Sequence, residues 1–298
     1  MLYHLLHELL EGRHYAYENT LFRGACAALL CFVLVLVLSP RMIRQLTAWK
    51  VGDRPEFDHA RLNALMRNKS NVPTMGGLLI LGSIALSVLL LCDLTNFYVQ
   101  MSIVCLFWLG ALGAVDDWLK LTARRRALAA RARGRAGGDR ETPARPDSRD
   151  GLKTYEKLLF QIGLGVVIGF YIYNHGRGNF AVDMAALDPL GESAALPAYK
   201  TLSVPFYKAG IQLSAMAFMV VTVLVMTGTS NAVNLTDGMD GLAAGCVALC
   251  SAVFAVLTHI VGTESLSQKL LFLHVPLSGE LVVLCGAIFG SCLGFLWY

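Results

Sequence analysis

Seven stretches of the chain are long, apolar and almost free of charge: residues 21–43, 75–92, 97–115, 158–173, 209–226, 242–261 and 281–298. A bilayer core about 30 Å thick needs ~17 to 25 apolar residues at 1.5 Å rise each, so every stretch is a candidate membrane helix. Lipid tolerates no unpaired backbone, and no stretch alternates as a barrel strand would. Composition agrees: hydrophobic residues make up 55% of the 298 and charged residues 15%, against roughly 25% charged in a soluble domain. An ordinary soluble enzyme, a disordered chain and a coiled coil are excluded. The expectation is an all-α polytopic membrane protein, a single domain over residues 1–298 with seven membrane helices.

Sidedness follows from the cations. Residues 41–73 carry seven Lys or Arg and residues 116–157 carry twelve, which is 19 of the 25 in the chain. A two-span hairpin separates these segments, so they share a face, and the positive-inside rule makes it the cytoplasmic one. Parity then sends the N-terminus, 92–97, 174–208 and 262–280 outside, and returns 227–241 and Tyr298 to the cytoplasmic side. The first stretch lacks a small-x-small cleavage site and reads as a retained anchor. Met1 to Glu11 is amphipathic and suits the outer interface, with His4 and His7 on a solvated face. Residues 122–151 form a low-complexity Arg/Ala/Gly insert, better matched to anionic headgroups than to nucleic acid. The turn-rich segment 176–208 has room for a short hairpin. Eight cysteines without a CxxC pair read as small buried hydrophobes, and Gly163-Leu164-Gly165, inside a span, reads as helix packing.

Three polar features fall on the cytoplasmic face in this topology. The first is the pair Asp116-Asp117 at the end of the third span. Two anions at a helix C-terminus need a compensating cation, which a divalent ion or Lys and Arg side chains would supply. The plainer reading is a span exit neutralised by Lys120. The second is Asn231 to Gly241, with Asn231, Asn234, Asp237, Gly238 and Asp240. Asn234, Asp237 and Asp240 are three apart and would share a face of a helical turn, and no Lys or Arg occurs from 209 to 261. A helix cap is the plainer reading, though it needs only one such residue. The third is Lys69 to Gly77, where Pro73 imposes an extended entry and Gly76-Gly77 would leave the backbone open to an anion beside Lys69 and Thr74. A plain loop-to-helix transition explains it as well.

PTMGG at 73–77, GAVDDWLK at 113–120, NAVNLTDGMDGLA at 231–243 and the closing GELVVLCGAIFGSCLGFLWY together resemble the polyprenyl-phosphate N-acetylhexosamine-1-phosphate transferases, in particular the branch that transfers phospho-N-acetylmuramoyl-pentapeptide. The resemblance runs from Met1 to Tyr298, interrupted mainly by the insert. It implies transfer of phospho-MurNAc-pentapeptide from UDP-MurNAc-pentapeptide to undecaprenyl phosphate, releasing UMP and forming lipid I, with Mg²⁺ as cofactor, in the bacterial inner membrane. By resemblance, Asp116 and Asp117 lie in the catalytic centre, Asp117 is the Mg²⁺ candidate in this chain, and Lys69, Thr74, Asn231, Asn234, Asp237, Gly238 and Asp240 surround the nucleotide. Direct displacement and a covalent aspartyl intermediate both stay open, as does a homodimer. The family has ten spans, with a Met-Gly-Asp metal segment and a His-rich loop after the seventh. A C-terminally incomplete chain is therefore expected. The rivals are a transferase using UDP-GlcNAc and, from another class, a transporter, against which the placement of the acids at the membrane edge counts.

Overall fold

The computed structural model describes residues 2–9, 16–48, 76–136, 151–187, 198–202, 204, 210–237 and 241–298. Each of the seven apolar stretches contains a helix, although the fifth begins with a short strand and turns helical only at Ala215. In chain order the helices are α1 (Leu2–Leu9), α2 (Thr20–Ala48), α3 (Gly77–Leu91), α4 (Phe97–Ala136), α5 (Thr154–Leu187), α6 (Ala215–Thr236), α7 (Leu242–Gly262), the short α8 (Glu264–Lys269) and α9 (Leu281–Leu296). Six are long and apolar enough to cross a membrane, and α3 is a shorter apolar helix. Side chains start several of them. Asn19 Oδ1 accepts the Leu21 and Phe22 N–H groups, and Asn96 Oδ1 accepts those of Tyr98 and Val99. Ser214 Oγ accepts the Ala217 N–H, and Glu156 reaches back to the Lys153 N–H in the manner of a capping box.

Several boundaries differ from the sequence reading. The helix of the first span continues through Pro40 to Ala48. Proline has no N–H, so the Leu36 carbonyl one turn earlier loses its partner; the Tyr298 hydroxyl donates to it at 3.0 Å. The insert does not begin as a loop at residue 122, because α4 runs on to Ala136. Alanine and arginine are strong helix formers, and nothing before Gly134 interrupts them. Helix α5 likewise continues beyond residue 173 to Leu187. The turn-rich segment 176–208 supplies only one strand of a small hairpin: β1 (Thr201–Leu202) pairs antiparallel with β2 (Ile211–Gln212), which lies in the stretch expected to open the fifth span.

The spans alternate in direction. At one end Phe97 stacks on His175, Tyr173 meets Phe218, and Asn96 Nδ2 donates to the Leu277 carbonyl. At the other end Gly76 abuts Phe295, Gly241 abuts Leu296, and Tyr298 meets α2. The tightest contact joins α2 to α9. Gly286, Gly290 and Gly294 recur every four residues on α9, so they share one face. A Cβ on Gly286 would run into the Gly24 carbonyl, and one on Gly290 into that of Ala28. Small residues let backbones approach where no water drives association. Around this seam lies the buried core: Ala27, Cys31, Ile84, Val88, Cys92, Val99, Val283 and Ala287.

The Arg23 end is pinned by charge. Arg23, 4% exposed, donates from Nη1 and Nη2 to the two Glu280 oxygens at 2.9 and 2.5 Å, and from Nη1 to the Leu91 carbonyl at 3.1 Å. Its guanidinium lies over the Tyr3 ring of α1. His4 is not simply solvated, since its Nε2 accepts the Leu94 N–H. All eight cysteines are free thiols; Cys31, Cys92, Cys285 and Cys292 are buried as expected, whereas Cys26 and Cys105 are half-buried and Cys246 and Cys250 are exposed.

Candidate active site

The opposite end of the bundle carries the acidic pair. Helix α4 passes through Asp116 and Asp117 without interruption, and its 100° turn per residue gives the two carboxylates different surroundings. Asp116 is 7% exposed. Its Oδ2 receives Lys120 Nζ at 2.8 Å and Lys157 Nζ at 2.7 Å, and its Oδ1 accepts the Leu152 N–H at 2.9 Å. The chain passes close enough for this because residue 151 is glycine; a Cβ there would strike Asp116 Oδ1. Asp116 thus ties the start of α5 to the middle of α4. Asp117 is half-buried and makes no hydrogen bond or ion pair among the described residues. The cation that the pair requires is supplied, for Asp116, by two lysines. One of them, Lys120, was legible as a neighbour in sequence; the other, Lys157, was not.

A second cluster lies one turn further along α5. Gln161, 7% exposed, donates from Nε2 to Ser230 Oγ at 2.9 Å and accepts from Asn231 Nδ2 at 2.9 Å. Lys157 and Gln161 are four apart on α5 and face the same way, about 6 Å apart along the axis. Helix α5 therefore joins the acidic pair of α4 to the polar end of α6. Closeness of α5 and α6 rests on Gly165 against Val223 and Gly169 against Met219 and Thr222. The glycine in Gly163-Leu164-Gly165 that packs is thus Gly165. Sequence reasoning missed Gln161, although it is the one amide or charged side chain within 158–173.

Asn231 and Asn234 occupy the last turns of α6, both exposed, and Asp237 caps its end. The expectation that Asn234 and Asp237 share a helical face is not met. Asp237 has φ −77° and ψ 48°, outside the helical region, so the helix stops at Thr236. Gly241, at φ 75°, begins α7 in the left-handed conformation that glycine adopts without strain. Lys69, Thr74, Gly238 and Asp240 lie outside the described residues. Gly76, read as backbone open to a ligand, instead packs against the Phe295 ring, while Gly77 has open space.

Among the described residues, no three His, Cys, Asp or Glu side chains converge into a metal cage. What is present is one uncommitted carboxylate, Asp117, beside one held by lysines. That donor set fits Mg²⁺, which retains waters and is bound by one or two carboxylates with substrate phosphates completing its shell.

Residues 149–298 match the family model described as glycosyl transferase family 4. Over 305 aligned residues the chain is 33% identical to a protein of Desulfotalea psychrophila (strain LSv54 / DSM 12343) named phospho-N-acetylmuramoyl-pentapeptide-transferase, covering 100% of this chain and 71% of that relative. The chain belongs to glycosyl transferase family 4. The family match takes in Lys157, Gln161, Asn231, Asn234 and Asp237, and the longer alignment extends the likeness across the whole chain, Asp116 and Asp117 included. For a family 4 transferase built of membrane-spanning helices, the polar end formed by α4, α5 and α6 is the candidate active site.

Proposed function

We propose that this chain transfers phospho-MurNAc-pentapeptide from UDP-MurNAc-pentapeptide to undecaprenyl phosphate, giving lipid I and UMP, at the cytoplasmic face of a bacterial inner membrane. The name of the Desulfotalea relative supports the substrate. The observation that carries the reading is the unequal acidic pair: Asp116 committed to Lys120 and Lys157, Asp117 left with its lone pairs free. A phosphoryl transfer between two anions needs positive charge at the phosphates and a carboxylate that can take up a proton or hold a cation.

In this mechanism an oxygen of the lipid phosphate attacks the phosphorus bonded to the sugar. A new P–O bond forms, the pyrophosphate P–O bond breaks, and its electron pair leaves with UMP. Lys120 and Lys157, held close by Asp116, offset the charge of the pyrophosphate as it enters. Asp117 receives the proton of a lipid phosphate that arrives as the monoanion. Mg²⁺, when bound at Asp117, supplies further charge neutralisation to the phosphate oxygens. Asn231, Asn234 and Asp237 face the nucleotide sugar. The test is radiolabelled sugar transfer in membranes containing the chain, with UDP-MurNAc-pentapeptide and undecaprenyl phosphate. Lipid I and UMP in equal amounts are expected; turnover of UDP-GlcNAc in place of the muramoyl substrate would refute the assignment.

A further inference from the structure

The Asn231 side chain is fixed at one side and open at the other. Its Nδ2 donates to the Thr227 carbonyl at 2.8 Å and to Gln161 Oε1 at 2.9 Å. A backbone carbonyl only accepts, so the amide orientation is forced by its partner. Both hydrogens of the NH₂ group are used. Asn231 Oδ1 takes no hydrogen bond among the described residues, and the residue is exposed. The same logic orients Gln161: its Oε1 faces Asn231, so its Nε2 faces Ser230 Oγ. Gln161 itself is buried between α5 and α6.

We infer that Gln161 is a positioning residue that locks Asn231 as a hydrogen-bond acceptor, so that Asn231 reads a donor on the substrate, a hydroxyl or an amide N–H, and does not bind phosphate. The inference rests on the nucleotide-sugar reading above. Ionised phosphate oxygens are acceptors, and a fixed acceptor turned toward them is repulsive. The lysine cluster one turn away on α5 offers the reverse. The two turns of α5 therefore divide the site into a cationic part suited to pyrophosphate and an acceptor part suited to sugar, ribose or base. Removing Gln161 frees one Nδ2 hydrogen and leaves the Thr227 carbonyl as the one remaining hold on the Asn231 amide among the described residues, so Oδ1 is presented less firmly.

Equilibrium binding to the purified full chain tests this, with UDP-MurNAc-pentapeptide and inorganic pyrophosphate as probes. Gln161→Met, similar in length but without donors or acceptors for the amide, should raise Kd for the nucleotide sugar about 3- to 10-fold, the weight of one neutral hydrogen bond. Pyrophosphate binding should stay within about twofold. Gln161→Glu keeps an acceptor opposite Asn231 in either protonation state and can pair with the Ser230 hydroxyl, so it should retain nucleotide-sugar binding. Equal weakening of both probes by Gln161→Met would mean a scaffold role and overturn the inference. So would unchanged nucleotide-sugar binding, or a Gln161→Glu variant as impaired as Gln161→Met. An unaltered chain that binds no nucleotide sugar refutes the functional reading itself, before any substitution is compared.

Discussion

Glu280→Ala is the sharpest test of how the bundle is held together. The substitution removes both carboxylate oxygens that accept from the Arg23 guanidinium, at 2.9 and 2.5 Å, and also the acceptor of the Asp93 N–H at 3.3 Å. Arg23 is left with the Leu91 carbonyl and the Tyr3 ring, in a place where its side chain is 5% exposed. An uncompensated buried charge of this kind costs about 3 to 5 kcal/mol. At ~2 to 4 °C per kcal/mol for a chain of a few hundred residues, melting should fall by roughly 6 °C or more. The chain carries its own reporters, since Cys31, Cys92, Cys285 and Cys292 are buried free thiols. A maleimide dye that fluoresces on reaction with them during a thermal ramp in detergent gives the transition directly. The double variant Arg23→Met with Glu280→Leu removes charge and counter-charge together and should recover most of the loss. A melting shift below about 2 °C for Glu280→Ala, or a double variant less stable than the single, would refute the reasoning.

Asp117→Asn should lower lipid I formation by about 10²-fold or more while melting moves by under ~2 °C, because Asp117 makes no hydrogen bond to lose. Asp116→Asn should reduce both turnover and melting temperature, since two lysines lose their counter-charge; parallel turnover and melting measurements separate the two variants. Gly290→Leu should destabilise by about 1 to 3 kcal/mol or more, as the new side chain meets the α2 backbone at Ala28, and the same thiol assay reads it. Chelation by EDTA should abolish transfer, and added Mg²⁺ should restore it.

Hydropathy alone found a helix in each apolar stretch, because the contrast between lipid and water is written residue by residue into the sequence, but among the described residues six rather than seven are long enough to span and the fifth runs 215–236 where 209–226 was expected. It could not say which face of a span meets another helix, since lipid and a helical neighbour are equally apolar. The glycines at 286, 290 and 294 were visible as a spacing, but their partners Gly24 and Ala28 were not. In the candidate site, the need of Asp116-Asp117 for a cation was legible from two adjacent charges, but the helix end expected there was wrong, because α4 runs on to Ala136. The unequal division was not legible, because it depends on Lys157, 41 residues away, arriving beside Asp116. Gln161 had a signal, a lone amide in an apolar run, whose meaning required knowing that Ser230 and Asn231 lie opposite. The helical face expected to join Asn234 and Asp237 came from extending a three-residue period past Thr236, where the helix ends.

The pairing of α2 with α9 also sets a timetable. Arg23 enters the membrane as part of the first long helix, yet its partner Glu280 is 257 residues downstream. At ribosomal rates of ~5 to 20 residues per second, that partner is made about 13 to 50 s later. Through this interval the guanidinium must reach for headgroups or water, and the glycine face that α2 will receive has not been synthesised. Helix α2 is thus locked long after it is inserted, and the unfinished bundle offers an open flank to whatever chaperones or proteases patrol the bilayer.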